Sequence, residues 1–207
     1  MATEGPEPLP ALDPRKTAFV VMDIQPLVFA RMPSPPTDLL PSITAMLAAA
    51  RRTGCTVVIV RVAFSATDFA AIPPTNKAFG RLAERAGGSA EKLGVLESQP
   101  ATQVLDEVKP LAGEIEVRKT RTGAFSTTDL HEQLKAKGID TLILAGVSTS
   151  GAVLSTVRDA TDKDYRIVVM RDGVADPKEE VHNILLDVVF EHSCYVAKSS
   201  EIIEKLG

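Results

Sequence analysis

Three short segments of this chain hold residues that could do chemistry together. Asp23 closes the apolar run AFVVM, Lys119 closes EIEVRK, and residues 146–153 read GVSTSGAV, where the apolar TLILAG meets the amphipathic AVLSTVRDATDKD. A carboxylate placed directly after a run that must be buried is costly unless a cation or hydrogen-bond donors meet it. Taken alone, Asp23 reads more readily as a turn-former at a strand end. Lys119 also reads two ways. In VRKTR it is one of several solvated cations, yet the alternation of Ile115, Val117 and Lys119 sets it on the apolar face and Arg118 on the other. An inward lysine needs an anion, and Asp23 is the natural one. A cation within about 4–6 Å favours the charged carboxylate while desolvation disfavours it, so such a pair can poise a proton beside a reacting atom. Segment 146–153 adds Gly146, which permits an unusual backbone, and a helix start whose free N–H groups favour developing negative charge. It also reads as a plain strand-to-helix turn with Thr149 or Ser150 as N-cap, and the two readings are compatible.

These residues need elements to position them. Runs rich in Val and Ile alternate with amphipathic segments, the pattern of βαβ units and a mostly parallel sheet. The sequence predicts six strands, at Thr17–Asp23, Cys55–Ala63, Glu114–Lys119, Thr141–Gly146, Arg166–Arg171 and Cys194–Ala197. Apolar residues at helical spacing predict helices over Leu39–Arg52, Thr102–Val108, Thr128–Ala136, Gly151–Asp162 and Lys178–Glu191. The expected architecture is Rossmann-like, three α/β/α layers around a mostly parallel six-stranded sheet, with both sheet faces covered. Asp23, Lys119 and the helix start at Ala152 are then expected at the ends of adjacent strands on one sheet edge. Segment 64–100, with Pro73-Pro74 and Gly87-Gly88, is too long for an ordinary connection and predicts a lid or interface element with a short helix near Lys77–Arg85. Its Phe64, Phe69, Ile72, Phe79 and Leu82 offer apolar surface for homo-oligomerisation as a dimer or tetramer. Residues 1–14 read as a flexible tail and 15–207 as a single domain.

Composition narrows the partners. With 44% apolar and 24% charged residues, the chain is an ordinary globular protein. The net charge is −4 and no basic cluster is longer than Arg51-Arg52, so neither nucleic acid nor an anionic membrane surface is expected, and a small diffusible substrate is. No run approaches the about 18 apolar residues that span a bilayer. The start, MATEGPEPLPALDP, lacks the features of a secretory signal, so a cytoplasmic location is expected; leaderless secretion leaves no such mark. Cys55 and Cys194 read as small buried hydrophobes rather than reactive thiols.

VVMDIQ, VRKTR and GVSTSGAV together resemble the isochorismatase-like hydrolase family, also called the cysteine hydrolases, over nearly the whole chain. DGVADPKEEVH and STVRDA are similar to further segments of that family. The resemblance implies that Asp23 of Asp23-Ile24-Gln25 is the general acid/base and that Lys119 is the triad lysine beside it. It implies too that the Val147–Ser148 peptide is cis, and that the N–H groups of Ser148 and residue 152 form an oxyanion hole. Gln25, Arg121, Asn76 and Lys77 are candidates for contacting substrate, the last three for receiving carboxylates.

Two departures from the family pattern carry weight. The metal-dependent branch has histidines after its second strand, and residues 61–90 hold none, so neither a metal nor another cofactor is expected. His131, His182 and His192 lack paired ligand spacing and read as surface residues. The other departure is residue 152, an alanine where the family pattern carries its nucleophilic cysteine. A methyl group cannot form an acyl-enzyme. Ser150 and Ser155 are out of register with that position, and Cys194 belongs to a different strand. Reading one is therefore cysteine-independent hydrolysis of the isochorismate vinyl ether, releasing pyruvate with Asp23 as acid. A second is an amidohydrolase in which Ala152 is an engineered replacement of the cysteine, and a third is a catalytically silent binding protein, disfavoured because Asp23 and Lys119 are kept.

Overall fold

A computed structural model describes residues 7–207. Six strands form one sheet: β1 (Thr17–Met22), β2 (Thr56–Val62), β3 (Ile115–Lys119), β4 (Thr141–Val147), β5 (Arg166–Ala175) and β6 (Tyr195–Ala197). Their order is β3-β2-β1-β4-β5-β6, and every pair is parallel. This is the Rossmann-like three-layer sheet that the sequence predicts.

Period-two alternation sorts the strand residues between two layers. In β1, Ala18, Val20 and Met22 join a core with Leu130, Leu134, Val153, Val157 and Leu186. Phe19 and Val21 face the other way, onto Ile43, Met46, Leu47, Ala50 and Ile202. The first layer carries α5 (Leu130–Ala136), α6 (Leu154–Thr161) and α7 (Glu179–Ile184); the second carries α2 (Leu39–Thr53) and α8 (Ser199–Lys205). In α2 the residues Leu39, Ile43, Met46, Leu47 and Ala50 repeat at helical spacing and are buried.

Several boundaries differ from the sequence reading. Thr102–Val108 is not a helix but parts of two 3-10 turns, Pro100–Thr102 and Asp106–Val108. Its polar groups go to partners elsewhere: Thr102 Oγ1 donates to the carbonyls of Leu96 and Gln99, and Leu105 N–H donates to Ile24 O. The helix expected from Gly151 begins as a π turn, Thr149–Val153, before α6. The run after Lys178 passes from α7 through a π turn, Leu185–Val189, into a 3-10 turn, Phe190–His192.

Segment 64–100 contains α3 (Ala66–Ala70) and α4 (Phe79–Arg85) and builds a small core of its own. Phe64, Phe69 and Ile72 are buried in it, with Phe79 and Leu82 packed against it. This corrects the expectation that these residues offer spare apolar surface, because they bury one another. Among the described residues the exposed large apolar side chains are Leu111, Ile184 and Val188. Arg118 ties this segment to β3 through ion pairs with Asp68 at 2.6 Å and Glu97 at 3.0 Å.

Of segment 1–14, residues 1–6 lie outside the described residues. Leu12 is buried and donates its N–H to Lys205 O. Cys55 is buried, Cys194 is half-buried, and both are free thiols. Among the described residues, no helix is long and apolar enough to cross a membrane.

Candidate active site

Strand order reverses between β1 and β4, and in open α/β sheets ligands sit outside the carboxyl ends of the strands at such a switch point. Close approach there depends on Gly146. Its φ is 130°, and a Cβ on it would lie 2.0 Å from Met22 O. Asp23 follows β1 with φ 58°, a left-handed conformation that aspartate tolerates better than most residues.

Lys119 ends β3, which is separated from β1 by β2. The expectation that all three site segments end adjacent strands is thus corrected: it holds for β1 and β4 alone. Two strand spacings amount to roughly 10 Å, a span that only a long side chain can bridge. Lys119 Nζ crosses it, lying 2.7 Å from Asp23 Oδ2. Its other donors go to Thr122 O at 2.7 Å and Arg121 O at 3.3 Å. An ammonium has three N–H groups, so Lys119 is fully engaged and serves as a fixed charge.

Both partners are buried, Asp23 at 5% exposure and Lys119 at 2%. Oδ1 of Asp23 is buried and has no hydrogen-bond partner. Burial pushes the Asp23 carboxyl above its ordinary value, and the Lys119 ammonium only partly offsets this. A proton on Asp23 therefore belongs on Oδ1, away from the lysine.

The third wall is the 147–152 loop. The Val147–Ser148 peptide is cis, as the resemblance implies. Ser148 O accepts from the N–H groups of Gly151 and Val153, folding the π turn back on itself. Neither Thr149 nor Ser150 acts as the cap of this turn. Thr149 Oγ1 instead meets His182 Nδ1 at 2.8 Å, and Ser150 N–H and Oγ donate to Asp176 Oδ2 at 2.7 and 2.6 Å. Two side chains beyond β5 thus hold the loop in place, a role that sequence reading assigned to neither.

Asp23, Lys119, Ser148 and Ala152 line one pocket of about 210 Å³. Arg121 joins them, its guanidinium 5.4 Å above the ring of Phe79, the first residue of α4, which also lines the pocket. Gln25, Asn76 and Lys77 do not line it, which corrects three candidates. Gln25 is wholly buried, and its amide accepts from Val62 N–H while donating to Val62 O and Thr102 O. Asn76 Oδ1 accepts from the N–H groups of Ala78 and Phe79 at the start of α4, and Lys77 is exposed. Sequence reading missed Arg31, Phe79, Thr122 and Pro177, all in the wall. No sequence pattern marked Arg31, a lone cation in the proline-rich connection LVFARMPSPP just beyond the carboxyl end of β1.

Among the described residues, no group of three or more His, Cys, Asp or Glu side chains is placed to hold a metal. His131 contacts Tyr165 Oη, and His192 borders a separate cavity.

The fold and site define a hydrolase of the isochorismatase class. The isochorismatase domain family matches residues 17–201, and the chain belongs to that family. It is 32% identical over 205 residues to the isochorismatase family protein YecD of Escherichia coli, covering 94% of this chain and 98% of that one. Ureidoacrylate amidohydrolase RutB of Variovorax paradoxus is 30% identical over 199 residues, covering 86% and 78%. Phenazine biosynthesis protein PhzD1 of Pseudomonas aeruginosa is 27% identical over 197 residues, covering 94% and 88%. A solved cysteine hydrolase from Pseudomonas syringae superposes with a TM-score of 0.78 at 22% identity, covering 97% of each chain, a likeness of fold.

Proposed function

We propose that this chain hydrolyses the vinyl ether of isochorismate, or of a close analogue, without a covalent intermediate. The observation that carries this reading is a buried carboxyl with one oxygen held by Lys119 and the other unpartnered, in a wall where residue 152 is a methyl group. Such a site supplies a proton and no thiolate. Vinyl-ether cleavage needs only the proton: Asp23 Oδ1–H protonates the terminal =CH2 carbon, and the alkene electron pair forms the new C–H bond. The resulting oxocarbenium carbon takes up water, whose surplus proton returns to Asp23. The hemiketal then breaks its C–O bond, giving pyruvate and a dihydroxy-cyclohexadiene carboxylate. In this scheme Lys119 fixes the charge beside the acid, and the backbone at Ser148 and Ala152 positions substrate and water.

The test is pyruvate release from isochorismate by purified protein. Asp23→Ala and Asp23→Asn should abolish turnover with the fold intact, and Lys119→Ala should lower kcat by about 10²–10⁴. Because the acid must be protonated, kcat/KM should fall as pH rises through the raised Asp23 value. Undiminished turnover by Asp23→Asn would remove Asp23 as the acid.

The similarity to an amidohydrolase favours the second reading, in which Ala152 is an engineered replacement of a nucleophilic cysteine. On that reading this chain is silent on isochorismate. We also infer a cytoplasmic setting and a homo-oligomer of two or four copies. Ile184 and Val188, exposed one helical turn apart, offer apolar surface for such contacts, and light scattering at micromolar concentration tests it.

A further inference from the structure

Among the described residues the pocket wall holds three cations, Arg31, Lys119 and Arg121, and one carboxyl, Asp23, a net charge of at least two positive in a chain whose own net charge is −4. Lys119 is spent on Asp23 and two carbonyls. The arginines are not matched in this way. Among the described residues Arg31 has neither an ion pair nor a side-chain hydrogen bond, and Arg121 has one hydrogen bond, to Thr120 O, and no carboxylate. Guanidinium groups carry five donors in a fork that matches a carboxylate, so most of their capacity is open. Arg121 is also braced, with one face against Phe79, which lowers the ordering cost of binding an anion. The two come from different elements that meet at the pocket: Arg31 follows α1 (Pro26–Phe29), beyond β1, whereas Arg121 follows β3.

We propose that Arg31 and Arg121 are paired specificity residues that select a small dicarboxylate, each reading one carboxylate, while the apolar wall of Val28, Met32 and Val62 takes the carbon skeleton between them. Arg31 is the new element. This deepens the vinyl-ether reading, whose substrate carries two carboxylates, but it concerns binding alone.

The test uses calorimetric titration with 3-(1-carboxyethoxy)benzoate, a diacid whose ether side chain has no double bond to protonate, and the two mono-acids that each keep one carboxylate, 3-ethoxybenzoate and 2-phenoxypropionate. The parent protein should bind the diacid about 10- to 100-fold more tightly than either mono-acid, the worth of a charged hydrogen-bonded contact. Arg31→Gln should remove that advantage against one mono-acid and Arg121→Gln against the other. Arg121→Lys, which keeps the charge if loss of the Phe79 contact disturbs the wall, should retain part of it. Equal binding of all three acids by the parent, or an unchanged preference in Arg31→Gln, would overturn the proposal. Since no turnover is measured, the diacid preference can hold even if Asp23→Asn proves that the reaction is different, and the converse.

Discussion

Lys119 Nζ lies 2.7 Å from Asp23 Oδ2, while Oδ1 of the same carboxyl is buried without a partner. The asymmetry divides labour within one side chain: one oxygen is anchored by charge, and the other is the place for a proton. A buried ion pair of this kind is weak evidence for stability, because desolvating both charges offsets most of their attraction.

The pair makes a stability prediction with a defined sign. The folded value of Asp23 is raised, so its contribution is present at low pH and is lost as pH rises through that folded value. Lys119→Met removes the cation and raises the value further, so its destabilisation should widen with pH, reaching about 3 kcal/mol at neutrality. Asp23→Leu combined with Lys119→Met should recover most of the loss. Urea denaturation at pH 4.5 and 7.5 measures both, and a double variant no more stable than the single would contradict the argument.

Asp68 behaves oppositely. A hydrogen bond from Ser65 N–H, with further help from the Ser65 hydroxyl and Arg118, holds its carboxyl down at about 2 despite some desolvation. It also completes a capping box on α3. Its stabilisation is therefore present above the ordinary aspartate value and is lost as pH falls towards 2. Asp68→Ala should cost about 1–2 kcal/mol at pH 7 through loss of the cap and the exposed-side ion pair. The difference from the parent should shrink steadily between pH 4 and pH 2, as followed by thermal unfolding. A constant difference across that range would show that the carboxylate charge contributes nothing.

What could be read from the sequence follows from the range of each interaction. Strand positions were legible because Val- and Ile-rich runs have few alternatives, and the Asp23–Lys119 pair because two charges ending apolar runs need each other. Arg31 was not, since a cation in a proline-rich connection carries no pattern, and only the turn made by α1 brings it to the wall. Gln25 was misassigned for the same reason. Its amide partners, Val62 and Thr102, lie far along the chain, and a side chain that closes such gaps looks in sequence like one that meets substrate.

Gln25 supplies its own check. Gln25→Leu leaves Val62 N–H, Val62 O and Thr102 O without their partner, and buried groups left unpaired cost about 1–3 kcal/mol each. The expected result is a destabilisation of about 2–4 kcal/mol, partial relaxation included, and a fall in activity that tracks the unfolded fraction. A residue that contacted substrate would instead raise KM in a protein of unchanged Tm, and that outcome would return Gln25 to the binding site.

Ala152 decides between chemistries. Its methyl group lies in the pocket wall with Asp23, within the π turn Thr149–Val153. If the protein protonates a vinyl ether, a thiol at this position has no step to perform, so Ala152→Cys should leave pyruvate release from isochorismate within about threefold of the parent, far less than the about 10²–10⁴ expected for losing the acid. The same variant should gain slow amide or ester hydrolysis, because a nucleophile would now stand beside Asp23 and the backbone N–H groups of the loop. The gained activity should depend on Asp23, the only carboxylate of the pocket wall among the described residues, and should vanish in Asp23→Asn combined with Ala152→Cys. Parallel assays of pyruvate release and amide hydrolysis on the parent, the single variant and the double variant separate the readings. A parent silent on isochorismate, with amidase activity appearing only in Ala152→Cys, would establish an amidohydrolase lacking its cysteine. Silence of both proteins in both assays would leave a binding protein that has kept its pocket.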